Sequence, residues 1–280
     1  MKNLIVIALK YLLPIIILIL KNLAGKLETW LNNKLNIKPT FKFGKKAPKL
    51  DYRTLKLEKY LKKDVAPPLP SFSNLQKVYT NLNVNDPTIL FPMDGNDQYG
   101  DCTCAAVAHL ITINQALINN NVIPKTKDVL KLYRKLTDGQ DTGCNELDVL
   151  NYWKNHKFVS DEIIAYVSID PKNHAHVQKA VELFGGVYLG FNVQQNAIQD
   201  FQNKIPWTPG QLTNDGHAIV AADYNENGLT VLTWGNIQSG NWAWWDETVD
   251  ECYAILTKET AQADNLDMQT LTADLNAIQN

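Results

Sequence analysis

A glycine-punctuated loop that ends in a cysteine and passes directly into an Ala-rich apolar helix constrains this chain more than any other feature. The stretch is Gly95-Asn96-Asp97-Gln98-Tyr99-Gly100-Asp101-Cys102-Thr103-Cys104-Ala105-Ala106-Val107-Ala108-His109-Leu110-Ile111. A cysteine in the first helical turn lies against the positive end of the dipole and the free backbone N–H groups. Both lower a thiol pKa and favour the thiolate, which is the nucleophile. Far downstream, Asp215-Gly216-His217-Ala218-Ile219-Val220 places a histidine at the start of a β-rich run. A thiol followed in one chain by a distant imidazole is an arrangement for nucleophilic catalysis. The competing reading is a buried structural cysteine.

The other cysteines do not change this reading. Four in 280 residues make no disulfide framework, Cys102 and Cys104 are too close to pair easily, and no zinc spacing occurs. Asp94, Asn96 and Gln98 imitate the start of a calcium loop, but the glycine and closing glutamate are misplaced. No metal or cofactor is expected.

The net charge of −2 hides an asymmetry. Residues 1–64 carry 15 Lys and Arg against 4 Asp and Glu, and the remainder carries 12 against 25. A basic arm ahead of an acidic domain suits a membrane surface, nucleic acid or an acidic partner, or is simply a solvated, electrostatically tethered arm. No base-reading motif accompanies it, so specific nucleic-acid binding is not expected.

Residues 4–20 are nearly all apolar, interrupted by Lys10 and Pro14. As one helix they would span about 25 Å, slightly short of a hydrocarbon core of about 30 Å. No small-residue cleavage site follows Leu20. Three readings stand: an uncleaved membrane anchor, a signal peptide, or a helix buried in an assembly. Residues 22–36 continue as an amphipathic helix, stopped by Pro39, and residues 44–66 read as an extended basic segment lying across the domain surface. Ala66-Pro67-Pro68-Leu69-Pro70 is a stiff linker. The expected organisation is an anchor helix over 1–25, a basic arm and linker over 26–70, a globular domain over 71–258 and a polar tail with a short helix over 259–280.

Within the domain, hydrophobic periodicity and breakers predict helices over 102–120, 126–136, 146–155 and 171–184. Strands are expected over 162–168, 187–193, 217–224, 229–234 and 252–256, with a hairpin at Asn225-Glu226-Asn227-Gly228. Helices come first and strands second. This predicts an α+β fold: a helical half carrying Cys102, an antiparallel sheet half carrying His217, and a cleft between them.

From Gly44-Lys45-Lys46-Ala47-Pro48 to the last strand the chain resembles the papain-like cysteine peptidases, and more narrowly papain-like proteins of bacteriophages and prophages. The resemblance rests on Gly95-Asn96-Asp97 with Gly100-Asp101-Cys102-Thr103, Leu147-Asp148-Val149-Leu150-Asn151-Tyr152-Trp153, Phe184-Gly185-Gly186-Val187-Tyr188, Gly216-His217-Ala218, Thr233-Trp234-Gly235 and Asp250-Glu251-Cys252-Tyr253-Ala254. Each piece alone is weak; the set is specific. It implies Cys102 as nucleophile and His217 as its imidazole. Cys104 lies about 200° further around the helix and reads as a small core residue. His109 shares the face of Cys102 but sits about 10 Å along the axis, and reads as a core or rim residue.

Papain-like enzymes place a glutamine six residues before the nucleophile as a side-chain oxyanion donor. Here that position is Asn96, whose amide is one methylene shorter and equally suited to turn chemistry. The backbone N–H of Cys102 is the second donor. The family's Asn-Ser-Trp-Gly, whose Asn holds the imidazole, becomes Leu232-Thr233-Trp234-Gly235. Thr233 or Asn236 is left to orient His217: centring the hairpin on Asn227-Gly228 sets His217 opposite a position near 238, and centring it on Glu226-Asn227 sets it opposite Asn236. Trp234, Trp242, Trp244 and Trp245 read as core or cleft wall, with one or two available to line a subsite.

Two functions fit. One is a phage-type cysteine peptidase or amidase that cleaves peptide, isopeptide or peptidoglycan-stem amide bonds, membrane-associated or virion-associated in a bacterial host. The other is a catalytically impaired papain-like virion or membrane-associated protein that keeps the fold for binding. Phage virion proteins and a membrane reached through residues 4–20 are the partners that these readings imply.

Overall fold

The computed structural model describes residues 40–279, apart from 160, 259 and 261–264. The apolar stretch 4–20 and the amphipathic stretch 22–36 lie outside them. Among the described residues no helix is long and apolar enough to cross a membrane.

The element order is β1 (Phe72–Ser73), α1 (Asn74–Leu82), α2 (Pro87–Leu90), α3 (Cys102–Leu117), α4 (Thr126–Leu136), α5 (Glu146–Asn155), β2 (Ala165–Ser168), α6 (His174–Phe184), β3 (Val187–Gln194), α7 (Ala197–Asn203), β4 (Leu212–Asn225), β5 (Gly228–Thr233), β6 (Asn236–Asn241), α8 (Trp242–Thr248), β7 (Val249–Leu256) and α9 (Met268–Gln279). The strands make one antiparallel sheet in the order β2-β7-β3-β4-β5-β6, with β1 paired to β4. The expected α+β architecture is present, helices first and sheet second.

Strand period two explains why the middle of the sheet is apolar on both faces. Tyr188, Val220, Leu232 and Ile255 point to the side of α3. Leu189, Ile219, Val231 and Ala254 point to the opposite core, with α6 and the tryptophans Trp207, Trp234, Trp244 and Trp245. Helix α3 carries no polar face: all its residues except Gln115 and Leu117 are buried. Such a helix is stable only when surrounded, and it packs against α1, α4, α5 and β4. Its N-terminus, and Cys102 with it, is thereby fixed against the sheet.

Several boundaries moved for local reasons. The helix expected from Pro171 starts at His174, because the Asn173 side chain caps it by accepting from His176 N–H. Left-handed Gly185 (φ 78°) ends it, as its sequence position suggested. Helices α1, α7 and α8 and strand β6 were not anticipated; they are short, or carry too few apolar residues at helical or strand spacing to stand out.

The segment read as lying across the surface contributes to the interior. Lys45, Leu57 and Tyr60 are buried. Tyr60 donates to Asp274 on α9 at 2.6 Å, and Lys59 pairs with the same carboxylate at 2.6 Å. Leu271 of α9 is fully buried in the same core.

Candidate active site

The loop before α3 is wound tightly. Asp94 (φ 56°) and Gly95 (φ 104°) are left-handed, and the N–H groups of Gln98 and Tyr99 both bond Gly95 O, at 2.8 and 2.9 Å. Asp101 O then accepts the N–H groups of Cys104 and Ala105, at 2.8 and 3.0 Å, and starts the helix. Cys102 therefore occupies the first turn of the longest described helix, where backbone N–H groups have no intrahelical partner. Burial pushes its thiol up to about 12, against the backbone N–H groups of Ala218 and Gly44, which favour the thiolate.

His217 sits on β4, opposite Phe191 of β3. Its Nε2 lies 2.9 Å from Thr233 Oγ1. Its Nδ1 is buried with no hydrogen-bond partner. Trp234 stacks on the ring with centroids 4.6 Å apart and planes at 19°, while Phe43 and Phe191 approach edge-on at 5.7 Å. Burial lowers the imidazole pKa to about 3. If Nε2 carries the proton, the Thr233 hydroxyl accepts it and Nδ1 is left as the base. A hydroxyl can also donate, so it selects this tautomer less strictly than an amide oxygen would.

The residue holding the ring is Thr233, not Asn236. Strand β5 stops at Thr233, and Trp234 (φ 46°) and Gly235 (φ 72°) form a two-residue turn into β6, so that Thr233 faces Asn236 across the ladder. The Asn236 Oδ1 instead accepts from the N–H of Ile237 at 2.9 Å. The same turn lays the Trp234 indole over the imidazole.

Asn96, Cys102, His109, His217, Thr233 and Trp234 line one cavity of about 10 Å³. The Asn96 amide donates to Tyr99 O at 3.1 Å and also bonds the Asp101 carboxylate, so both of its hydrogens are engaged. His109 Nε2 lies 2.9 Å from Pro92 O, and the ring packs edge-on against Phe91 at 5.7 Å, so it belongs to the rim. Cys104 is fully buried with its thiol against that of Cys144. Among the described residues no group of three or more His, Cys, Asp or Glu is arranged to hold a metal.

Cys102 and His217 are each 1% exposed. They are covered by the chain's own residues 41–46, a feature the sequence reading missed. Lys42 N–H bonds Asn96 O at 2.9 Å on one wall, and Lys45 N–H bonds Gly216 O at 3.1 Å on the other. Gly44 O accepts from Cys144 N–H at 2.9 Å, and Lys46 N–H returns to Cys144 O at 2.9 Å. The fit has no spare room: a Cβ on Gly44 would lie 1.8 Å from Gly100 O, and one on Gly143 would lie 2.1 Å from Gly44 O. A groove of about 350 Å³ continues beside this segment, bounded by Gly100, Gly143 and Gly216 among others.

No family model matches the sequence, and no curated protein matches it. Solved structures do. Xylellain, a cysteine protease from Xylella fastidiosa, superposes with a TM-score of 0.57 at 17% identity, over 79% of this chain and 98% of its own. The cysteine protease CMS1MS2 of Carica candamarcensis, solved with E-64, gives 0.47 at 12% identity, over 68% and 99%. The likeness to xylellain establishes the fold of this chain as papain-like.

Proposed function

We propose that this chain is a papain-like cysteine hydrolase acting on peptide or related amide bonds, here with its cleft covered by residues 41–46. The observation that carries the reading is that a helix-start thiol and a held imidazole line one small cavity. His217 is fixed through Nε2 by Thr233 and keeps Nδ1 unpartnered.

In this reading His217 Nδ1 takes the Cys102 proton as the sulfur attacks the carbonyl carbon. The Cys102 N–H receives the developing oxyanion, and the Asn96 amide joins it by giving up its bond to Asp101. The imidazolium then protonates the leaving amine, and water, deprotonated by the same imidazole, releases the acyl group from sulfur. The covered state is not the reactive one. With the thiol near 12 and the imidazole near 3, both groups are neutral at pH 7. Displacing residues 41–46 rehydrates both and moves the two values toward each other.

The reading is tested on the full chain with Gly44→Ala, which cannot seat against Gly100. Iodoacetamide near pH 6 should alkylate Cys102 rapidly, with turnover of a casein-derived peptide mixture that Cys102→Ala abolishes. A slow thiol and no turnover would leave the second reading, a binding protein. That alternative is favoured by the ring being held by the Thr233 hydroxyl, with Leu232 at the position of the family's amide. The phage-type assignment and the membrane association of residues 4–20 are further proposals, resting on the motif set and on the apolar composition of that stretch.

A further inference from the structure

Lys45 sends its side chain away from the strand that covers the cleft into a pocket of carboxylates. Its side chain is 1% exposed, and Nζ lies 2.9 Å from Asp250 Oδ1 and 3.1 Å from Glu251 Oε1. Glu146 faces the same pocket, wholly buried, with neither carboxylate oxygen hydrogen-bonded. Gly190 forms the wall, and nothing larger would fit there: a Cβ would meet Lys45 Cε at 1.8 Å and Glu146 Oε1 at 2.7 Å.

We propose that this pocket is the specificity pocket of the uncovered cleft and takes the Lys or Arg side chain of a peptide. The inference rests on the hydrolase reading for its function, but its binding test does not. Three observations carry it. The first is place: Lys45 N–H bonds Gly216 O, the residue before His217, and the preceding Gly44 backbone faces the Cys102 sulfur. A peptide lying in the cleft would therefore present a side chain to this pocket close to the bond under attack.

The second observation is charge. Asp250 and Glu251 pair with the Lys45 ammonium and Glu146, whose ionisation burial opposes, adds a third carboxyl, so a cation entering in place of Lys45 keeps partners that a neutral apolar side chain would leave unpaired. Burial presses the Lys45 pKa down, yet the charges of Glu146, Glu251 and Asp250 outweigh it and hold it above its ordinary value. The third is the unpartnered Glu146 carboxyl. An ammonium offers three donors and a guanidinium five, so arginine reaches a partner that Lys45 leaves bare.

The test uses full-length chain carrying Gly44→Ala and Cys102→Ala, which uncovers the cleft without turnover. Peptides identical except for Arg, Lys, norleucine or Glu at each of three successive positions are titrated calorimetrically. Arg and Lys peptides should bind at least tenfold tighter than norleucine at one position. Glu251→Gln should cut that advantage severalfold while leaving norleucine binding unchanged. Lys45→Ala with Cys102→Ala, which clears only the pocket, repeats the measurement if the Gly44 variant does not fold. Equal or tighter norleucine binding, or no binding by any peptide, overturns the proposal. Cleavage by the chain retaining Cys102 is scored separately: selective binding without cleavage keeps the pocket and removes the hydrolase, and unselective cleavage does the reverse.

Discussion

Thr233 Oγ1 lies 2.9 Å from His217 Nε2, beneath the Trp234 indole that stacks on the same ring. One hydroxyl and one aromatic face thus hold an imidazole whose other nitrogen is free. Thr233→Val should keep the ring's packing and lose its hydrogen bond. The expected loss is about 1 kcal/mol of stability and about tenfold or more in kcat, with little change in KM. Asn236→Ala should leave kcat unchanged. Steady-state kinetics on an uncovered variant decide between the two residues.

Cys102 and Cys104 separate on chemistry. Cys102→Ala should abolish turnover and leave stability nearly intact. Cys104→Ala removes a fully buried thiol packed against Cys144 and should cost about 1 kcal/mol, read from urea midpoints, with turnover retained. The reverse pattern would assign the nucleophile to Cys104.

The two halves of the site were unequally legible in the sequence. Cys102 and His217 announce themselves because each reactive group stands beside its own local signal, a glycine-rich helix start and a β-rich run. Thr233 could not be separated from Asn236, because the answer depends on where β5 stops. The β4–β5 ladder pairs Asn225 with Gly228, which agrees with a turn centred on Glu226-Asn227. Extended unbroken, that register sets His217 opposite Asn236. The chain instead turns at Trp234-Gly235, and the ring reaches Thr233 at the strand's end. Lys45 was hidden for a different reason. In sequence it is one member of a basic run, and the three carboxylates that bury it come from residues 146, 250 and 251.

Two buried groups should move stability with pH in opposite directions. The folded imidazole of His217 resists protonation down to about 3, whereas the unfolded one binds a proton near 6.5. Its contribution is present above about 6.5 and is lost as pH falls toward 3. Asp101, wholly buried, is raised to about 8, by burial first and then by Asp94, against the Asn96 amide that bonds its carboxylate. Its contribution is present below its unfolded value of 3.8 and is lost as pH rises through 8. Urea midpoints from pH 3 to 9 should show that His217→Asn removes a fall in stability below about 6.5, and that Asp101→Asn removes an opposing fall as pH rises from 3.8 to about 8. Unchanged profiles would mean that other groups carry the titration.

Gly44→Ala should uncover the site more effectively than a side-chain change in the covering segment that leaves the Lys45 ion pairs in place. The segment is held by main-chain bonds to Asn96, Gly216 and Cys144, which side-chain substitutions leave in place. A methyl on Gly44 meets Gly100 O at 1.8 Å, backbone against backbone, and neither can rotate away. An overpacking cost of about 1–3 kcal/mol would raise the uncovered population by about five- to 150-fold. Alkylation of Cys102 by iodoacetamide, followed by mass spectrometry, should accelerate by that factor, while Phe43→Ala, which removes edge contacts with His217 and Trp234, should give a smaller gain. Equal rates in the parent chain and in Gly44→Ala would mean that residues 41–46 do not limit access to the thiol.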